Sequence, residues 1–268
     1  MPEAISIREF RAFLADFERN ADLTALGSDD LKSCAYWRRF EAPRWTETLN
    51  LLLRDEPKRI LNFGPYHGVC DLFLKQKRGL EVVGLDHPEV AARLEGYWRA
   101  NGLEVQPCDL ACDALPVPLA AFDAVLASEL IEHVRARPRT VLRKAFDALK
   151  PGGTLVVTTP NIARLSNLLH LFEGKNISQP LADPGAGGHV TDHWHHIREY
   201  TAREMREETA AAGFAEIETI MSACWDRPGA SGERSSFREA LKALWLPLSY
   251  LLPRLRSCIM IRARKPQA

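Results

Sequence analysis

Five short apolar runs punctuate residues 59–159: RILNF (59–63), LEVVGL (80–85), LEVQP (103–107), FDAVLAS (122–128) and GTLVVTT (153–159). Segments of helical periodicity separate them, and in LRKAFDALKPGG the residues Leu142, Phe146 and Leu149 step by four and three onto one face. This alternation is the pattern of βαβ units, which build a mostly parallel sheet with helices on both faces. The Lys150-Pro151-Gly152-Gly153 stretch predicts a helix stop and a turn into the fifth run. Further on, Thr201-x-x-Glu204 predicts a capping box opening a helix that closes at Gly213, followed by strands over 214–223 and 258–264.

Three segments fall outside this frame. Residues 1–57 carry Phe10, Phe13, Leu14 and Phe17 at helical spacing and predict an N-terminal helical cap on a domain spanning 58–268. Residues 160–200 form a long Gly- and His-rich connection, the kind that serves as a lid or binding loop. Residues 225–256 insert a polar loop and the apolar stretch ALKALWLPLSYLL before the last strand. That stretch predicts a helix packed on the core or on a second copy in a homodimer. Its alternative is peripheral membrane contact through 241–256, with Arg254 and Arg256 beside Trp245 and Tyr250. Pro247 and Pro253 interrupt it too often for a membrane span.

The 35 Lys and Arg balance 35 Asp and Glu, so a nucleic-acid partner, which requires a basic surplus, is not expected. A local basic surface is expected only near the C-terminus, where Arg254, Arg256, Arg262, Arg264 and Lys265 cluster. The first residues lack an apolar core of signal-peptide type, and the six scattered cysteines include no CxxC. A cytoplasmic protein with free thiols is the resulting expectation.

After the first apolar run comes Asn62-Phe63-Gly64-Pro65-Tyr66-His67-Gly68, a glycine turn opening a helix near Val69. Counting from Gly64, Tyr66 and Val69 occupy the second and third positions of G-x-G-x-x-G, which disfavours a pyrophosphate and hence a nicotinamide or flavin cofactor. One βαβ step later Asp86 ends the second run, where a carboxylate can accept hydrogen bonds from both hydroxyls of a ribose. Cys108-Asp109-Leu110 then offers a carboxylate for an exocyclic amine beside an apolar contact for a purine. A nucleoside without a pyrophosphate suits this order. Each acid taken alone is better explained as a solvated residue at a strand end; the ordered set is harder to dismiss.

RILNFGPYHG, VVGLDHPE, PCDL, and FDAVLASELIEHV followed by LRKAFDALKPGGTLVVTTPN together resemble the class I S-adenosylmethionine-dependent methyltransferases over roughly residues 55–222. The resemblance implies a Rossmann-like, seven-stranded α/β sheet with a reversed terminal hairpin and S-adenosylmethionine across the strand ends. It implies that Asn62, Gly64, Pro65 and Gly68 border the methionine moiety. Asp86 with His87 would meet the ribose, Asp109 and Leu110 the adenine, and Ser128, Glu129 and Leu130 would form the floor beneath the reacting methyl. Two positions depart from the family pattern: Asn62 stands where an acid is usual and Tyr66 where a glycine is usual. They motivate the rival reading, a non-catalytic module of the same fold.

Methyl transfer to a hydroxyl is assisted by a general base, and histidine suits that role. His133 lies just after the fourth run in E-L-I-E-H. Four further histidines crowd GHVTDHWHHIREYT, where the family resemblance points to His193 or His196 as the residue facing the acceptor and leaves Arg198 a structural role. A metal reading would draw on His189, Asp192, His193 and His195 or His196. Ligands so close along one loop converge poorly without a second segment, so no metal is expected. The expected activity is methylation of a small molecule or saccharide, at oxygen, since no N-P-P-Y-type signature follows the fourth run.

Overall fold

The computed structural model describes residues 4–27, 31, 41–178, 196–226 and 247–267. Seven strands form one sheet: β1 (Arg59–Phe63), β2 (Glu81–Asp86), β3 (Val105–Pro107), β4 (Phe122–Ser128), β5 (Leu149–Pro160), β6 (Ala215–Ser222) and β7 (Cys258–Arg264). Their order is β3-β2-β1-β4-β5-β7-β6, with β7 antiparallel to both β5 and β6 and the other pairs parallel. This is the Rossmann-like sheet with a reversed terminal hairpin that the alternation and the resemblance predict.

Both faces of the sheet are covered, as continuous apolar strands require. On one face Ile60, Val82, Leu126 and Val156 pack under α1 (Ile7–Asn20), α2 (Ala42–Leu52), α3 (Val69–Arg78) and α4 (Pro88–Ala100). On the other, Leu61, Phe63, Val125 and Val157 meet α5 (Pro138–Ala148) and α7 (Ala202–Ala211). A further helix, α6 (Leu165–Phe172), follows β5 inside the long connection.

Local chemistry explains the element ends. Ser6 caps α1 by accepting from Glu9 N at 3.0 Å, and the buried stripe Phe10, Phe13, Leu14 and Phe17 turns inward. Phe10 and Phe13 set their rings 4.9 and 5.2 Å from Phe73 of α3, so the N-terminal helices share the core of the sheet. Thr201 and Glu204 form the predicted capping box at the start of α7.

Some boundaries move. β5 begins at Leu149, directly after α5, because Phe122 pairs with Leu149 and Ala124 with Thr154. Lys150–Gly153 is therefore an irregularity in β5 and not a turn ahead of it, and Gly152 takes a φ of 78° there. β3 keeps only three residues of the predicted five at the sheet edge.

In the C-terminal basic cluster Arg254 is exposed, while the other four residues are engaged internally. Arg262 and Arg264 pair with Asp55, Lys265 donates to the carbonyls of Phe146 and Leu149, and Arg256 to those of Ser249 and Met221. Residues 247–251 are helical, with Tyr250 and Leu251 exposed; residues 241–246 lie outside the described set. Among the described residues no helix is long and apolar enough to cross a membrane.

Candidate active site

The chain leaves β1 toward β2 on one side and returns past it to β4 on the other, so a crevice opens above the carboxyl ends of β1 and β4. A cavity of about 640 Å³ occupies this position. It has two ends of different construction.

At one end lies the glycine turn. Gly64 sits at φ 69° with its N–H donating to Leu85 O, and a Cβ there would come 2.9 Å from Leu130 Cδ1 across the crevice. Gly68, at φ 61°, is the N-cap of α3, and its N–H donates to the Pro65 carbonyl. Only glycine takes these conformations without strain. Tyr66 takes one as well, at φ 50°, where its N–H donates to Asp86 Oδ2 at 2.8 Å and its carbonyl accepts from Trp98 Nε1 at 2.6 Å. Two hydrogen bonds thus hold the conformation that a glycine would adopt freely.

Asp86 is 7% exposed, and its other oxygen accepts from His87 N, so the carboxylate is aimed by backbone donors on both sides. His87 caps α4 through Nδ1 and sets Nε2 3.8 Å from Asp109 Oδ2. Burial alone would raise the Asp109 pKa, but Ala111 N, the Cys112 thiol and His87 lower it, so this acid stands ionised beside buried Leu110. Asn62 donates from Nδ2 to Asp71 Oδ1 at 2.6 Å. Burial pushes Asp71 up to about 7, the Asn62 hydrogen bond offsetting part of the rise.

The other end is built from buried charge. Arg44 of α2 is fully enclosed, with Nε 2.6 Å from Glu41 Oε2 and Nη1 2.6 Å from Ser128 Oγ. Burial would lower its pKa, yet Glu41 and Glu129 hold it above the usual arginine value. Trp225 closes over the pair, its Nε1 donating to Glu41 Oε1 at 3.0 Å. Ser128 also meets Thr158 Oγ1, which donates to Glu129 Oε1 at 2.8 Å. Burial raises the pKa of Glu129 and raises Glu132 further still, the latter also feeling the charge of Glu129.

His133 and His196 converge here from segments 63 positions apart in sequence, their rings 4.9 Å apart and nearly perpendicular. His196 Nδ1 lies 2.9 Å from Glu199 Oε1, and Glu199 is clamped by Arg164. Burial would raise Glu199, but the His196 hydrogen bond and the Arg164 guanidinium hold it down at about 2. Glu132 accepts from Thr159 Oγ1 at one oxygen and has no hydrogen-bond partner at the other among the described residues. One ligand atom each from Glu132, His133 and His196 falls within 4.8 Å of the others, an arrangement with metal-ligand atom types. The 3.9 Å from Glu132 Oε1 to His133 Nε2 exceeds the roughly 3.4 Å between two ligands on a tetrahedral zinc.

The cavity therefore gathers Asn62, Gly64, Pro65, Gly68, Asp86, His87, Asp109, Leu110, Ser128, Glu129, His133 and His196. His193, with His189, Asp192 and His195 of the loop metal set, lies outside the described residues. The sequence reading missed Glu41, Arg44, Arg164, Glu199 and Trp225, which also line the cavity. Glu199 sat inside H-I-R-E-Y-T unnoticed. Arg198 turns outward to pair with Glu204 at 2.5 Å.

A family described as a methyltransferase domain matches residues 36–219. The ubiquinone biosynthesis O-methyltransferase of Ruegeria pomeroyi is 40% identical over 86 residues, 31% of this chain and 34% of that protein. The chain thus spans about a third of this curated relative's length. An S-adenosylmethionine-dependent methyltransferase from Thermotoga maritima shares the fold at TM-score 0.58 and 18% identity, covering 96% of this chain and 98% of its own. Haemonchus contortus phosphoethanolamine N-methyltransferase 2, solved with S-adenosyl-L-methionine, shares it at TM-score 0.52 and 18% identity, with 100% of this chain and 62% of that one covered.

Proposed function

The chain belongs to this methyltransferase-domain family, and on that footing we propose that it methylates an oxygen of a small molecule or saccharide with S-adenosylmethionine as donor. The observation that carries the reading is one cavity with a glycine turn and two strand-end acids at one end and two imidazoles at the other. The O-methyltransferase named among its relatives supports oxygen as the target.

The residues fit the donor. Gly64 keeps the turn free of side-chain bulk where it faces Leu130, Pro65 and Gly68 line the same turn, and Asn62 Oδ1 is a hydrogen-bond acceptor for the ammonium of an amino-acid moiety. Asp86 accepts from ribose hydroxyls with His87 beside it, Asp109 and Leu110 flank an adenine, and Ser128 and Glu129 form the floor. When bound, the sulfonium supplies an already activated methyl group, so the protein's task is alignment and exclusion of water. Arg44 holds the floor through Ser128, while His196 and His133, with His193 from the sequence reading, serve as candidates to receive the acceptor's proton.

A cytoplasmic setting without nucleic-acid or metal partners completes the proposal. Homodimer or peripheral membrane contact through 241–256 belongs to it too, supported by exposed Tyr250 and Leu251. Tyr66 in its left-handed conformation favours one rival, a non-catalytic module. Calorimetric titration with S-adenosylmethionine separates the two. The enzyme reading expects one site per chain, weakened by about 1.5 kcal/mol or more in Asp86→Ala, the scale for hydrogen bonds to a charged group. Folded protein that takes up no ligand would support the module instead.

A further inference from the structure

His196 is held at both its backbone and its side chain. Ile197 N and Arg198 N both donate to the Glu132 carbonyl, at 2.8 and 3.3 Å, which ties the backbone just after His196 to the segment carrying His133. The side chain is held separately, through Nδ1 and Glu199 Oε1. Glu199 is in turn gripped from a third segment. Arg164, the residue preceding α6, reaches both of its oxygens, Asn167 Nδ2 lies 3.5 Å from one of them, and Arg164 also donates to the Asn161 carbonyl. The Glu199 side chain is 11% exposed, so water competes poorly for these contacts.

An ionised carboxylate only accepts hydrogen bonds. With Arg164 on both oxygens Glu199 stays ionised, so the proton shared with His196 resides on Nδ1. We propose that Glu199, clamped by Arg164, is a positioning residue that holds His196 as the Nδ1–H tautomer and thereby makes Nε2 the nitrogen that takes the acceptor's proton. The proposal rests on the methyl-transfer reading for its purpose. In that step the acceptor O–H bond breaks and its proton passes to Nε2. The oxygen's electron pair forms the new bond to carbon, and the carbon–sulfur pair stays on sulfur. Positive charge thus moves from the sulfonium to the imidazolium, which Glu199 stabilises until the proton is lost to water. The same logic orients the histidine of hydrolase triads, where the carboxylate sets the tautomer and is never itself protonated.

The test needs neither acceptor nor turnover, so it fails independently of the functional reading. The full chain is labelled with ¹⁵N-histidine and its long-range ¹H–¹⁵N spectrum recorded at alkaline pH, the His196 signals being assigned by their loss in His196→Gln. The wild type is expected to show a protonated Nδ1 and a bare Nε2. Glu199→Gln is expected to move the tautomer ratio toward Nε2–H by about tenfold or more, the equivalent of one hydrogen bond to a charged group, and Glu199→Asp to restore it in part. A wild-type spectrum dominated by Nε2–H overturns the proposal by itself, even if the variants do not fold. A tautomer ratio unchanged in folded Glu199→Gln overturns it as well.

Discussion

The two ends of the cavity are made by opposite means. The glycine-turn end is assembled from residues close to strand termini, held by backbone donors: Tyr66 N and His87 N on Asp86, Ala111 N on Asp109. The far end is assembled from side chains of five separate segments, held by a buried ion pair, Arg44 on Glu41, and a half-buried one, Arg164 on Glu199, with Trp225, His133 and His196 between them. Backbone positioning makes a shape that tolerates side-chain change, as the survival of the turn with Tyr66 in it illustrates. Side-chain positioning depends on each partner, so single substitutions there carry larger effects.

The largest such effect is expected in turnover. With any acceptor the protein methylates, His196→Ala is expected to lower kcat by about 10²–10⁴-fold, the usual contribution of a positioned general base. His133→Ala and His193→Ala compared with it locate the base, and near-normal rates in all three would dissolve the contrast between the ends.

Next comes stability. Arg44→Ala leaves Glu41 buried without its cation, and a loss of about 3–5 kcal/mol is expected in urea unfolding. A loss below about 1 kcal/mol would mean that the pair does not anchor α2 to the sheet.

The glycine-turn end holds one costly side chain of its own. The Asp71 carboxyl, which ordinarily titrates near 3.8, is pushed up to about 7 in the folded protein by burial. A carboxyl whose folded value is raised keeps a proton that the unfolded chain releases, so its effect is to weaken the fold as pH climbs from about 4 through 7. Asp71→Asn is therefore expected to leave stability at pH 3 unchanged and to raise it by about 1–4 kcal/mol above pH 7. A gain at pH 3 as large as that at pH 8 would assign it to packing.

Chelation has the smallest expected effect. Dialysis against EDTA is expected to leave turnover and the unfolding midpoint unchanged, because Glu132 Oε1 and His133 Nε2 stand 3.9 Å apart, wider than two ligands of one tetrahedral zinc. Turnover lost on dialysis and restored by zinc or magnesium would turn the cluster of Glu132, His133 and His196 into a metal site.

The same contrast explains what could be read in the sequence. β1, β4 and β7 match their predicted spans; in β4 a nearly continuous apolar run buried on both faces leaves little choice of register, and in β7 the buried Cys258–Ile261 half does the same. Gly64, Asp86 and Asp109 were legible because strand periodicity brings them to one edge of the sheet. Arg44 and Glu41 were not: nothing in E-A-P-R-W announces that a charged pair will be enclosed, since their burial depends on Trp225, 184 positions away from Glu41. Glu199 was hidden by its neighbours, Arg198 and Tyr200, whose family pattern drew attention although Arg198 faces Glu204 at the surface. The β5 irregularity was missed because a Pro-Gly-Gly run reads as a turn whether or not the strand on its far side continues.

The most direct measurement is the structure of the protein crystallised with S-adenosylhomocysteine. The predicted result has the adenine beside Asp109 and Leu110, the ribose hydroxyls on Asp86, and the sulfur directed past Ser128 toward the space between His133 and His196. Product bound elsewhere, or with its sulfur turned away from the two histidines, would contradict the division of the cavity into a donor end and an acceptor end.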